Sequence, residues 1–151
     1  MTKLEHLYDF AYNSDIEIYD YRHPSDIKGY CMADGNFYAA ALNKSAIHNS
    51  ADELCTLAEE LGHIKTGAVL PFSDYINPEY RKWAKRRNEI VAGRWAIDKL
   101  LPIGKIQEAL NQGCNSDYEI AEHCDVTVEF LNKAFEYYAR QGIEIDMETI
   151  C

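Results

Sequence analysis

The chain has 151 residues, 47% of them hydrophobic and 26% charged, and a formal net charge of −10. That length and composition suit one ordinary globular domain with one core, and no apolar run approaches the roughly 20 residues that a membrane helix needs. The acidity excludes general nucleic-acid binding, which requires a basic face to displace counterions.

The opening Met1-Thr2-Lys3-Leu4-Glu5-His6 is polar and lacks the apolar stretch of a signal peptide, so a cytoplasmic location is expected. Leu4, Leu7, Tyr8 and Ala11 recur at helical spacing and predict a short amphipathic helix over 3–13. Asn13-Ser14-Asp15 is turn chemistry, and Ile16-Glu17-Ile18-Tyr19 alternates as a strand until Arg22-His23-Pro24-Ser25 breaks it. Tyr30-Cys31-Met32 and Phe37–Ala41 flank Asp34-Gly35, a strong hairpin signal. These residues predict an antiparallel meander of three strands, too small to stand without helices packed on it.

Ser50 and Glu53 have the spacing of a capping box, with Ser50 as the cap of a helix over 51–65. Leu54, Leu57, Ala58, Leu61 and Ile64 form its apolar stripe, and Gly67 is its expected stop. A connecting loop over 67–77 follows. Asn77-Pro78 then opens a long helix that Pro102 ends near Leu101. A short helix over 103–112 stops at Gly113. A second capping box at Ser116–Glu119 and a cap at Thr127 start the last two helices, which end at Gly142. The expectation is therefore an α+β fold with a small antiparallel three-stranded sheet on a mainly helical body. It forms a single domain over 1–142 with a C-terminal helical subregion over 103–142, and a loosely held tail over 143–151.

The helix over 51–65 carries the most chemistry. Glu59 and His63 lie four apart on one face, and Glu60 is rotated between them by about 100°. The pattern is that of His-Glu-x-x-His, in which the outer pair holds a metal and the inner Glu activates water, with Glu59 in the first His position. Cys55 shares the face but lies about 12 Å from His63 along the axis, too far for one ion. Glu60 and His63 also spell the di-iron element Glu-x-x-His, which needs a second helical copy that this chain lacks. The plainer reading is a polar face of an amphipathic helix.

Five scattered cysteines (Cys31, Cys55, Cys114, Cys124, Cys151) contain no Cys-x-x-Cys pair and read as reduced, mostly buried thiols. His48 reads as a surface histidine. The run Arg81, Lys82, Lys85, Arg86, Arg87 reads as a solvated face, with contact to an acidic partner or to phosphate as the alternative. The last two helices have helix-turn-helix proportions, but Glu129 and Glu136 against Lys133 and Arg140 give no basic excess. That pair reads as scaffold or protein-docking surface, with no direct DNA binding.

Leu57–His63 resembles the active-site helix of the ImmA/IrrE family of bacterial and prophage metallopeptidases. The stretch Arg86–Pro102 resembles that family's second helix, with an acid, a small residue, an aromatic-Ala pair and a Leu-Leu-Pro end. The order of elements is similar across roughly 4–142. The resemblance implies a zincin-like fold with Glu59, His63 and Glu89 as ligands of a divalent metal and Glu60 as general base. Glu59 replaces the usual histidine, as in a prophage-type branch. Zinc is the expected ion, and the harder Glu/His/Glu set also suits manganese or iron. The implied activity is limited cleavage of a helix-turn-helix repressor, and the alternative is an inactive regulatory module of the same fold. Gly93 either leaves space beside the metal or packs a helix closely. Oxyanion stabilisation falls to one of Tyr75, Tyr80, Arg94 and His123.

Overall fold

The computed structural model describes residues 1–70 and 77–145. Its element order is α1 (Lys3–Asn13), β1 (Ile16–Tyr21), β2 (Gly29–Asp34), β3 (Phe37–Asn43), α2 (Ser50–Thr66), α3 (Pro78–Leu100), α4 (Ile103–Asn111), α5 (Asp117–Cys124) and α6 (Val128–Arg140). The fold is α+β, as expected. Tyr75 and the tail from 146 onward, Cys151 included, lie outside the described residues.

Local capping accounts for most helix boundaries. Gly67 ends α2 in the left-handed conformation at φ 70°, where a side chain would be strained. Ser116 and Thr127 accept from the backbone N–H groups of Glu119 and Phe130 and so start α5 and α6. The start of α2 differs from expectation. Its cap is Asn49, whose side chain accepts from the Asp52 N–H at 2.9 Å, and Ser50 is already helical. The reason is that Glu53 does not reach back to the cap. Its Oε1 accepts from the Tyr8 hydroxyl at 2.6 Å and from Lys44.

The three-stranded sheet is mixed, which corrects the antiparallel meander. β3 lies in the centre, β2 pairs with it antiparallel, and β1 pairs with it parallel. The hairpin at Asp34–Phe37 forms as expected, with Gly35 at φ 60° in its turn. β1 cannot pair with β2 in sequence because residues 22–28 cross over instead of turning back. That crossover is pinned by Asn43, fully buried at the end of β3. Its Nδ2 donates to the carbonyls of His23, Ser25 and Ile27 at 3.1, 3.3 and 2.9 Å, and its Oδ1 accepts from the His23 N–H at 3.0 Å. Five hydrogen-bonding relations at one amide, counting Ser45 N–H, make Asn43 irreplaceable by an apolar residue of similar size. Central position also explains β3 itself. Ala39, Ala40, Ala41 and Leu42 are buried in succession, the pattern of a strand covered on both faces.

α2 runs beneath the sheet and against α1 and α3. Leu54, Leu57, Ala58 and Leu61 of its stripe are buried in one cluster that continues through Ile97, Leu101, Ile106, Ile120, Phe130 and Tyr138. The α2–α3 crossing is unusually close at Gly62, where an added Cβ would fall 2.5 Å from the Ala92 carbonyl oxygen. Only glycine allows the backbones to meet there. That contact sits beside His63 on one helix and three residues past Glu89 on the other, so it sets the separation of the two backbones from which those side chains extend. No helix among the described residues is long and apolar enough to cross a membrane. Of the cysteines, Cys31, Cys55, Cys114 and Cys124 are free, with Cys55 and Cys124 buried and the other two half-buried.

Candidate functional site

The last two turns of α2 present Glu59 toward Lys133 of α6, His63 toward Glu89 of α3, and Glu60 toward Gly29 and Cys31 of β2. His63 is 8% exposed. Its Nδ1 lies 2.8 Å from the Ala68 carbonyl oxygen, an acceptor supplied by the chain just after the Gly67 cap. That carbonyl holds the ring with the proton on Nδ1 and aims Nε2 outward. Nε2 faces Glu89 Oε1 at 3.5 Å, and the Glu89 side chain is 58% exposed on the outer side.

The electrostatics follow from this arrangement. Burial pulls the His63 pKa down, but the hydrogen bond to Glu89, the Ala68 carbonyl and the charges of Glu89 and Glu60 outweigh it and push it up to about 9. Glu89 is correspondingly held below the usual carboxylate range, by the His63 hydrogen bond first, against its own partial burial. Glu60 behaves differently. Burial, reinforced by the charges of Glu89 and Glu59, pushes it up to about 7 despite His63 nearby. A carboxyl poised near neutrality suits both proton acceptance and proton return. The Cys31 thiol of β2 lies within hydrogen-bonding reach of Glu60, and burial and the Glu60 charge push that thiol up to about 12.

Glu59 occupies the opposite corner. Lys133 of α6 reaches across 74 sequence positions to place Nζ 3.3 Å from its Oε1. Burial raises the Glu59 pKa, Lys133 opposes that rise, and the charges of Glu89 and Glu129 add to it. Glu59 and Glu89 face a common cleft of about 280 Å³ between α3 and α6, floored by Ile90, Ile97 and Phe130.

At the His63 corner two donors, His63 Nε2 and Glu89 Oε1, stand 3.5 Å apart as an ion pair, a separation that a shared divalent ion would also give. Two atoms sharing an ion with bonds of about 2.1 Å at tetrahedral angles stand about 3.4 Å apart, close to the Nε2–Oε1 separation. A backbone carbonyl on the distal nitrogen is the support that ligating histidines commonly have. At Glu59 the carboxylate is engaged by an ammonium. Among the described residues no three His, Cys, Asp or Glu side chains are gathered into a ready ligand set.

Gly93 faces this cleft, and a Cβ there would meet nothing within 4 Å, so close packing is not its role. The packing glycine is Gly62. Of the oxyanion candidates, Arg94 lines the cleft with its guanidinium 5.7 Å from the Tyr137 ring centre. Tyr80 is exposed at the start of α3, and His123 lines a separate groove with Cys114 and Glu119. His48 is exposed, as expected. Lys133 and Cys31 are the two site residues that sequence reasoning missed. Alternation along β2 puts Gly29, Cys31 and Ala33 on one face, the signal that pointed Cys31 at α2. Lys133 had no comparable signal. No protein family, curated protein or solved structure matches the chain.

Proposed function

We propose that this chain is a metal-dependent endopeptidase of the ImmA/IrrE kind, zincin-like in fold. Its substrate in this reading is a helix-turn-helix repressor of a prophage or other mobile element, cut in the cytoplasm. The observation that carries the reading is the His63 corner. A buried imidazole anchored through Nδ1 on Ala68 turns Nε2 to Glu89, with Glu60 beside it near neutral pKa. A surface helix with a merely polar face needs none of these three features.

Glu59, His63 and Glu89 would hold the ion, with zinc expected and manganese or iron compatible with two carboxylates. When bound, the ion supplies Lewis-acid polarisation of the scissile carbonyl and of the attacking water. Glu60 would accept the proton of that water on its carboxylate and return it to the leaving amine, and its burial, which raises its pKa in the absence of an ion, favours the return step. β2 is an edge strand running along α2 beside Glu60, so its free backbone edge can take an extended substrate as an added strand. Of the oxyanion candidates among the described residues, Arg94 is the one that lines the cleft with Glu59 and Glu89, and it is assigned the developing negative charge in this reading.

The Lys133–Glu59 contact favours a second reading, an inactive module of the same fold that binds the repressor without cutting it. The two separate in one experiment. Purified protein, supplied with zinc or manganese, is incubated with a helix-turn-helix repressor encoded beside it. The peptidase reading predicts a defined cut, and Glu60→Gln should slow it by roughly 10²–10⁴-fold with fold and metal content unchanged. Complex formation without cleavage by the metal-loaded protein establishes the second reading.

A further inference from the structure

The first half of α3 is unlike the rest of this acidic molecule. Residues 78–88 contain five basic side chains and one acidic, a charge of +4, which leaves −14 on the remainder. Lys82, Lys85, Arg86 and Arg87 are all exposed. None of those four makes an ion pair among the described residues, whereas Lys3, Lys28, Lys44, Lys105 and Lys133 each lie against an acid. In a chain with 25 acidic residues, four exposed cations on one stretch of helix with no acid within ion-pair distance among the described residues, Lys85 acting on Glu89 only at longer range, are a distinct use of charge. Two large aromatics accompany them. Tyr80 and Trp83 are each 57% exposed, with ring centres 5.8 Å apart. Arg, Trp and Tyr are the residue types that dominate the energetics of protein interfaces.

We infer that the exposed first half of α3, with Lys82, Lys85, Arg86 and Trp83 at its centre, is a docking surface for an acidic segment of a partner protein. Charge complementarity selects the occupant. A nucleic acid would extend well past the three turns involved and meet a surface carrying the remaining −14, Glu59, Glu89 and Glu136 of the adjoining cleft included. A short acidic stretch of polypeptide covers the cations and stops. A solvated face, the bland alternative, explains the lysines and arginines but leaves two exposed aromatics in ring contact without a reason.

The position of the surface sharpens the inference where it rests on the peptidase reading. Lys82, Lys85 and Glu89 lie at i, i+3 and i+7, one stripe of α3. Lys82 is about 10 Å and Lys85 about 6 Å along the axis from Glu89. An acidic segment seated there leaves roughly two to three extended residues to reach the His63–Glu89 corner. The substrate class is then a protein whose scissile bond lies a few residues from a run of Asp or Glu.

The test uses the full chain as Glu60→Gln, so that binding is read without cleavage. A fluorescent peptide with six consecutive glutamates is titrated at low salt, beside a peptide with glutamines in their place, a random 20-base-pair duplex and phosphatidylserine vesicles. The expected result is saturable binding of the glutamate peptide alone, with a change in Trp83 emission that Trp83→Phe removes. Lys82→Glu/Arg86→Glu should weaken that binding at least tenfold with the melting temperature unchanged. Equal binding of the glutamine peptide, tighter binding of duplex or vesicles through the same residues, or indifference to the charge reversal overturns the inference. A chain that binds the glutamate peptide in this way yet cuts nothing as wild type keeps the docking surface and loses the peptidase.

Discussion

His63, which faces Glu89, and Glu59, which lines the cleft, belong to the same face of α2, one turn apart, and they are held in opposite ways. At His63 the backbone does the holding of the ring: the Ala68 carbonyl fixes it, and the Gly62–Ala92 contact fixes how closely the two helices meet beside it, while the Glu89 carboxylate that faces it is 58% exposed. At Glu59 the holding is done by one long side chain, Lys133, half exposed and reaching in from α6. Backbone-defined geometry is rigid and survives changes in charge. A lysine at the end of four methylenes can be displaced by any better cation. On the reading proposed above, the first corner is the one held ready for an ion, and the second is where Lys133 occupies the carboxylate that an ion would take.

Changing Gly62 tests the rigid corner most severely. Gly62→Ala places a Cβ against the Ala92 backbone, so α2 and α3 must part, at a cost of about 1–3 kcal/mol. Thermal unfolding should show the loss, and the separation of His63 from Glu89 should lower metal affinity along with stability. Gly93→Ala supplies the contrast on the neighbouring helix. Its Cβ enters open space, so replacing a helical glycine should stabilise the protein by about 0.5–1 kcal/mol. Equal melting temperatures for the two variants would mean that the close crossing is not what sets the corner.

At the removable corner the expected effect is smaller. A partly exposed ion pair contributes only about 0.2–1 kcal/mol. Lys133→Met should accordingly raise zinc affinity by no more than roughly fivefold, by freeing Glu59, with little change in stability. A fall in zinc affinity would show that Lys133 supports the site instead of competing for it.

The same division between backbone and distant side chain governs what was legible in the sequence. Gly35, Gly67, Ser116 and Thr127 act on residues within four positions of themselves, and the elements they delimit were readable from local pattern. The α+β class followed from those elements. The parallel β1–β3 pairing was not readable, because strand order is decided by Asn43 capturing a crossover some 16–20 positions away. The unbroken apolar run of β3 was the available hint of a central strand. In the site, the i, i+4 geometry of Glu59 and His63 was visible, and Glu89 came from resemblance. The Lys133 contact spans 74 positions between two helices that nothing local links.

The central claim is that Glu59, His63 and Glu89 bind one divalent ion, and calorimetric titration of zinc into metal-free protein at several pH values tests it most directly. In the absence of an ion, His63 holds a proton up to about pH 9, and that proton must leave before Nε2 can bind. One equivalent should therefore bind with proton release, and affinity should rise about tenfold per pH unit from pH 6 toward 9. His63→Ala should abolish both the binding and the proton release. Failure to bind zinc, manganese or iron at any of these pH values, or binding that His63→Ala leaves intact, would contradict the account.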